Sequence, residues 1–183
     1  MSIKIVRDEL VHDGEYVQYI DRHFVDMNGN PGIWEMVRRK TFGRIVQVAG
    51  VTPDNHLVCI KIYRIPAEDY VLELPAGLMD KQGESEAEMA KRELLEETGY
   101  VGDEPELLVA GTFNAGLTED EIAIYLIRNA KVQQSPQPEG AEDIQVMTIP
   151  VARVLDFLKQ SKLKVDVKIA GVLPFLAEKF HAD

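Results

Sequence analysis

From Gly77 to Tyr100 the chain reads Gly-Leu-Met-Asp-Lys-Gln-Gly-Glu-Ser-Glu-Ala-Glu-Met-Ala-Lys-Arg-Glu-Leu-Leu-Glu-Glu-Thr-Gly-Tyr, a glycine-bearing loop followed by a helix dense in carboxylates. Ser85 can cap that helix, Glu88 three residues on completes a capping box, and Gly99 stands just past the end. At about 100° per residue, Ala87, Ala90 and Leu94 fall within roughly 60° of one another and face a core, while Glu86, Glu93, Glu96 and Glu97 spread over roughly 100° beside them. Like charges at i,i+3 and i,i+4 repel, so acids gathered in this way call for a counter-cation. All-oxygen donors suit a hard ion, Mg2+ or Mn2+. A lone Glu-Glu pair would be read as a solvated helix face; this pattern is much longer.

From Glu84 to Gly99 the run resembles the Nudix box at every specified position: Glu, seven residues, then Arg-Glu-aliphatic-any-Glu-Glu-any-Gly. Two positions depart from it. Six residues, not five, separate Gly77 from Glu84, and Tyr100 replaces the final aliphatic. The extra residue precedes Ser85, in the loop, where an insertion costs little and leaves the register of Arg92 to Glu97 untouched. Upstream, Glu73-Leu74-Pro75-Ala76-Gly77 and Lys61-Ile62-Tyr63-Arg64 look like signatures of the ADP-ribose and nucleoside-diphosphate-sugar pyrophosphatase branch of that family. The resemblance covers residues 34 to 128 at the level of motifs.

The resemblance implies a metal-dependent hydrolase that splits the pyrophosphate of a nucleotide sugar by water attack, giving a nucleoside monophosphate and a sugar phosphate. It implies the Ala76 carbonyl, Glu93, Glu96 and Glu97 as metal ligands, with Arg92 holding the glutamates by charge-assisted hydrogen bonds. The catalytic base would be a box glutamate, Glu96 or Glu97, or an acid of the later loop Gly111 to Glu121. In that branch this loop carries Ser-Pro-Gly followed by an acid; here Asn114-Ala115-Gly116 stands instead, which weakens a preference for ADP-ribose. Counting from Gly116 places the acid at Asp120, with Glu119 and Glu121 as rivals. Read without the family, the same loop is a solvated acidic turn. Two other readings stay open: a pyrophosphatase for a dinucleotide cofactor or nucleoside triphosphate, and a ligand-sensing domain without catalysis.

Trp34, followed by Glu35-Met36-Val37-Arg38-Arg39, is either core or a platform for a nucleobase, with Arg38, Arg39 and Arg64 contacting phosphates. The family implies a homodimer in which the amino-terminal sheet completes the partner's base pocket. Residues 1–43 are expected to form a small antiparallel sheet and residues 44–183 the catalytic domain, an α/β/α sandwich on a mixed sheet. Strand signals run from Ile3 to Val6, Tyr16 to His23, Ile33 to Arg38, Ile45 to Val51, Leu57 to Tyr63, Leu107 to Phe113, Ile122 to Ile127 and Ile144 to Ile149. Asn28-Gly29-Asn30-Pro31-Gly32 reads as a turn and residues 133–140 as an exposed loop. Helices are expected over Val151 to Leu163 and Val165 to Phe180, the second kinked or shortened by Pro174.

Twenty basic against thirty-one acidic residues give a net charge of −11, the wrong sign for a nucleic-acid binder. A phosphate-bearing substrate remains compatible, because divalent ions reverse the local field. Cys59 lies in an apolar strand and has no second cysteine to pair with. The amino terminus has no apolar leader and the chain has no long apolar run, so the expectation is a cytoplasmic protein free of membrane. His12, His23, His56 and His181 show no zinc spacing.

Overall fold

The near-continuous apolar runs Ile45–Val51 and Ile122–Ile127 require that both faces of one sheet be covered, and this governs the architecture. The computed structural model describes residues 2–41, 43–79, 81–138 and 142–180. His181 and the last two positions of the 133–140 loop fall outside them. The chain opens with β1 (Lys4–Asp13), β2 (Val17–Val25) and β3 (Pro31–Arg39), paired antiparallel in that order. The turn between β2 and β3 is tied by Asp26, whose carboxylate accepts the backbone N–H groups of Asn28 and Asn30.

A second sheet is built from β4 (Ile45–Val51), β5 (His56–Arg64), β6 (Asp69–Glu73) and β7 (Ala76–Leu78). After α1 (Glu86–Thr98) and the short β8 (Tyr100–Val101) come β9 (Glu106–Thr112), β10 (Glu121–Ile127), β11 (Lys131–Val132) and β12 (Ile144–Pro150). The chain closes with α2 (Val154–Gln160), β13 (Lys164–Val165) and α3 (Lys168–Lys179). The strand order is β13-β6-β5-β4-β10-β9, with β12 on β5 and β7 on β4, while β8 and β11 pair separately. Pairings β4–β10 and β13–β6 are parallel and the others antiparallel, so the sheet is mixed.

Alternate residues of the central strands feed two cores. On β10, Ile122, Ile124 and Leu126 join Val154, Ile169, Val172 and Leu176 of α2 and α3. Ala123, Tyr125 and Ile127, with Val46 and Val48 of β4, join Met89, Ala90 and Leu94 of α1. Helices thus cover both faces, an α/β/α sandwich. Cys59 is buried in the first core, which pushes its thiol up to about 12.

One departure from regular pairing opens a gap in this sheet. Along a single edge of β5, Leu57 and Val58 pair with β4, whereas Ile60 to Arg64 pair with β6. The body of β4 is therefore free to take β7 through Ile45, Val46 and Gln47, and Val48 N–H donates to the Pro75 carbonyl at 2.8 Å. The sheet forks, and Leu74-Pro75 carries the chain across the gap.

The two carboxy-terminal helices are shorter than their apolar patterns suggest. Val151–Arg153 is a 3-10 turn and α2 ends before Ser161, which is extended; Val165 pairs with Leu72 before α3 starts. Pro174 sits inside α3, which continues to Lys179. Strands β6, β7, β8, β11 and β13 give no sequence signal of their own, being five residues or fewer. At the start of α1 the capping box is fully formed, with Ser85 and Glu88 exchanging hydrogen bonds, and Gly99 ends the helix at φ 75°. Replacing Ser85 with Ala should lower the unfolding free energy by about 1 kcal/mol, measured by urea denaturation.

Candidate active site

Helix α1 presents its acids to the backbone of β7. Glu97, 5% exposed, accepts the Ala76 N–H at 2.9 Å, and Glu93 lies against Gly77 so closely that a Cβ there would sit 2.2 Å from its carboxylate oxygen. Burial pushes the Glu97 carboxyl up to about 8; Glu93 and Glu142 add to the rise, while the Ala76 N–H and Arg64 oppose it. Arg92 draws the remaining acids together, donating to Glu84 at 2.9 and 3.1 Å and to Glu96 at 2.9 Å, with Glu93 at 2.8 Å. Glu86, on the same helix, turns instead to Arg44 and the Tyr125 hydroxyl. The lengthened loop before Ser85 holds Gly83 at φ 88°, where a Cβ would meet open space.

These groups border a cavity of about 750 Å³ at the fork of the sheet. Ala76, Glu93, Glu96 and Glu97 all line it, as do Arg39 and Arg64. Arg64 is clamped by Glu73 through two hydrogen bonds of 2.8 Å, a fork-to-fork pair at the cavity wall. Sequence reasoning misses Glu73 and Glu142 as site residues, although Glu73 opens the Glu-Leu-Pro-Ala-Gly motif. It misses Gln47, Phe113 and Lys168 as well, which also line the cavity.

Trp34, Arg38, Gly116, Glu119, Asp120 and Glu121 do not line the cavity; they lie where β3 meets the loop after β9 and the start of β10, next to Arg39. Trp34 is 53% exposed, which excludes a core role, and its indole N–H donates to the Gly116 carbonyl at 3.0 Å. Val37 N–H donates to the Leu117 carbonyl at 2.9 Å, so the loop runs beside β3 like a short added strand. Glu119 is bound by Arg38 and Arg22, which also hold Asp8, and Asp120 pairs with Arg39 at 3.0 Å. Glu121 is exposed, 4.0 Å from Arg44. Of the three candidate acids in this loop, two are thus engaged by arginines of the amino-terminal sheet.

The residues at β7 fit a divalent ion. Every donor is oxygen, and the missing side chain at Gly77 leaves room for a carboxylate beside the Ala76 carbonyl. A buried carboxyl whose charge is disfavoured by its neighbours is the place where a cation relieves the most repulsion. As the side chains stand, Arg92 and the Ala76 N–H occupy the acids, and among the described residues no three acidic, histidine or cysteine side chains are grouped to hold an ion.

Comparison with known proteins agrees with this geometry. The NUDIX domain family matches residues 41–167, and the chain belongs to that family as a Nudix hydrolase. It is 28% identical over 182 residues to an ADP-sugar pyrophosphatase of Mus musculus, covering 90% of this chain and 83% of the relative. An ADP-ribose pyrophosphatase of Bacillus subtilis is 26% identical over 177 residues, covering 96% and 93%. The fold superposes on the crystal structure of an ADP compounds hydrolase with a TM-score of 0.81 at 23% identity, covering 98% of this chain and 94% of that one. No helix among the described residues is long and apolar enough to cross a membrane.

Two measurements test the site. Gly77→Ala should keep the fold by circular dichroism but lower kcat about 100-fold, because the new methyl displaces Glu93. The contacts of the amino-terminal sheet should respond to acid. Arg22 and then Arg38 hold the Asp8 carboxyl well below the usual carboxylate range, and Arg38 and then Arg22 lower that of Glu119. Groups depressed in the folded state stabilise it above their ordinary values and lose that contribution as pH falls through the folded ones. The urea midpoint should therefore fall more steeply between about pH 5 and pH 3 in the wild type than in Glu119→Gln.

Proposed function

We propose that this chain hydrolyses the pyrophosphate bond of ADP-ribose and related nucleoside-diphosphate sugars with Mg2+ or Mn2+, releasing a nucleoside monophosphate and a sugar phosphate. The observation that carries the reading is the cavity at the fork, where an all-oxygen donor set faces Arg39 and Arg64. The names of the similar pyrophosphatases support the choice of substrate. The Ala76 carbonyl, Glu93, Glu96 and Glu97 would hold the ion, which supplies charge neutralisation on the phosphates and a more acidic attacking water. Arg64, fixed by Glu73, and Arg39, fixed by Asp120, line the same cavity and orient the phosphates. The proton of the water goes to Glu97, which accepts a backbone N–H, rather than to Glu96, Glu119 or Asp120, whose charges Arg92 and the arginines of β2 and β3 already meet.

The same reading includes a cytoplasmic homodimer, with residues 1–43 as the dimerising extension of a catalytic domain over 44–183. What supports it is the exposure of Ile3, Ile5, Val6, Leu10, Val11, Ile33 and Trp34 across the amino-terminal sheet, apolar surface of the kind a second subunit covers. Trp34 is also exposed enough to stack on a base.

The experiment is a panel of ADP-ribose, ADP-glucose, a dinucleotide cofactor and a nucleoside triphosphate, assayed with Mg2+ and with chelator. ADP-ribose or ADP-glucose should be turned over best and chelation should abolish turnover; preference for the triphosphate would overturn the assignment. Glu97→Gln preserves volume and removes one ligand charge, so it should lower kcat by about two orders of magnitude or more while leaving the circular dichroism spectrum unchanged.

A further inference from the structure

Strand β4 begins Ile45-Val46-Gln47-Val48-Ala49, and Gln47 is the one amide in an otherwise apolar strand. It is 2% exposed, and its side-chain carbonyl finds no donor among the described residues. Its amide nitrogen donates to Asp166 at 3.5 Å. Asp166 is itself fixed at the start of α3, accepting the Lys168 backbone N–H at 3.0 Å and pairing with the Lys168 ammonium. Reversing the Gln47 amide would set its carbonyl against a carboxylate, acceptor against acceptor, so Asp166 dictates which end is left without a partner.

Gln47 forms part of the cavity wall together with Ile45, Phe113, Ile122 and Lys168. Ile45 and Ile122 pack into the core under α2 and α3, whereas Glu93, Glu96 and Glu97 stand on α1 at the other face of the sheet. The cavity reaches both because β7 is short and the sheet forks beside it. Gln47 pairs in register with Ala76, so the two backbones lie about 4.8 Å apart, one strand spacing. Gln47 and Ala76 thus border one cavity from adjoining strands. A group that meets the Gln47 carbonyl must bring a donor. Ionised phosphate brings none, and a nucleobase is separated from the pyrophosphate by its ribose; the sugar carbons next to the phosphates bring hydroxyls.

We infer that Gln47 is a specificity-determining residue whose side-chain carbonyl accepts a hydrogen bond from a hydroxyl of a sugar attached to the pyrophosphate, with Asp166 as its positioning residue. This rests on the reading of the cavity as a nucleotide-sugar pyrophosphatase site. The exposed ring of Phe113, with the Lys168 ammonium 5.3 Å from its centroid, gives the same wall an apolar surface for the carbon face of that sugar.

The test measures kcat/KM of the full chain and of Gln47→Leu and Gln47→Met on ADP-ribose and on analogues each lacking one hydroxyl, either of the adenosine ribose or of the distal ribose. The wild type should lose about 10- to 100-fold on one analogue, which also identifies the sugar. Both variants should lose that factor on ADP-ribose and nothing further on that analogue, and they should keep their urea midpoints, since the lost acceptor had no donor and Asp166, losing only a long bond from Gln47, keeps both of its Lys168 partners. A uniform loss on every substrate would overturn the inference in favour of a buried water on Gln47, and a uniform loss with a fallen midpoint in favour of packing. Unchanged kcat/KM in both variants would also overturn it. If the wild type hydrolyses no nucleotide sugar, the pyrophosphatase reading fails first and the inference falls with it.

Discussion

A carboxylate buried on a helix has to be met by donors, and Glu97 is met by one backbone N–H, that of Ala76. That contact joins α1 to β7, and β7 in turn hangs from β4 by three residue pairs. The helix is held in place from both ends of its own sequence by the Ser85–Glu88 box and by Gly99 at φ 75°. With the helix fixed and the strand pinned to it, Glu93 reaches the backbone at Gly77, where any side chain would exclude it. The acid-rich face is thus stable because the sheet offers it backbone dipoles and Arg92 offers it charge.

The chain uses arginine in two ways. Arg92 and Arg64 sit at the cavity and are pre-oriented by glutamates, so their donors are fixed before any ligand arrives. Arg22 and Arg38 instead tie the amino-terminal sheet to the loop after β9, and Arg39 does both, pairing with Asp120 while it lines the cavity. A net charge of −11 makes that division useful, because unpaired acids near the cavity would repel an anionic substrate.

Local rules determine the part of the structure that is legible in the sequence. Capping of α1, its buried stripe of Ala90 and Leu94, the span of β4 and the burial of Cys59 all follow from neighbours within a few positions, and the structure has them. The Nudix motif points to Ala76, Glu93, Glu96 and Glu97, and all four border one cavity. Long-range partners are not legible. Glu119 and Asp120 are visible as acids in the right loop, but their arginines lie on β2 and β3, far back in the chain, and charge pattern does not say which acid meets which base. The same holds for Glu86, which leaves the glutamate face for Arg44 and Tyr125. The fork depends on one edge of β5 being shared by two strands, a property of pairing that no single segment carries. Gln47 does carry a local signal, an amide inside an apolar strand, but its apolar neighbours dominate the pattern and hide it.

All ten residues of β1 are exposed, and among the described residues it pairs with β2 alone, so one row of backbone donors and acceptors faces outward. A straight edge of that length would be a template for endless strand addition. Here the register slips twice, between Ile5 and Arg7 and between Leu10 and His12, so the outward row is broken into three short segments. Such an edge behaves like a key cut with two notches: an approaching strand that lacks matching irregularities can zip along a few residues and then stalls, which confines assembly to finite partners and disfavours fibrils.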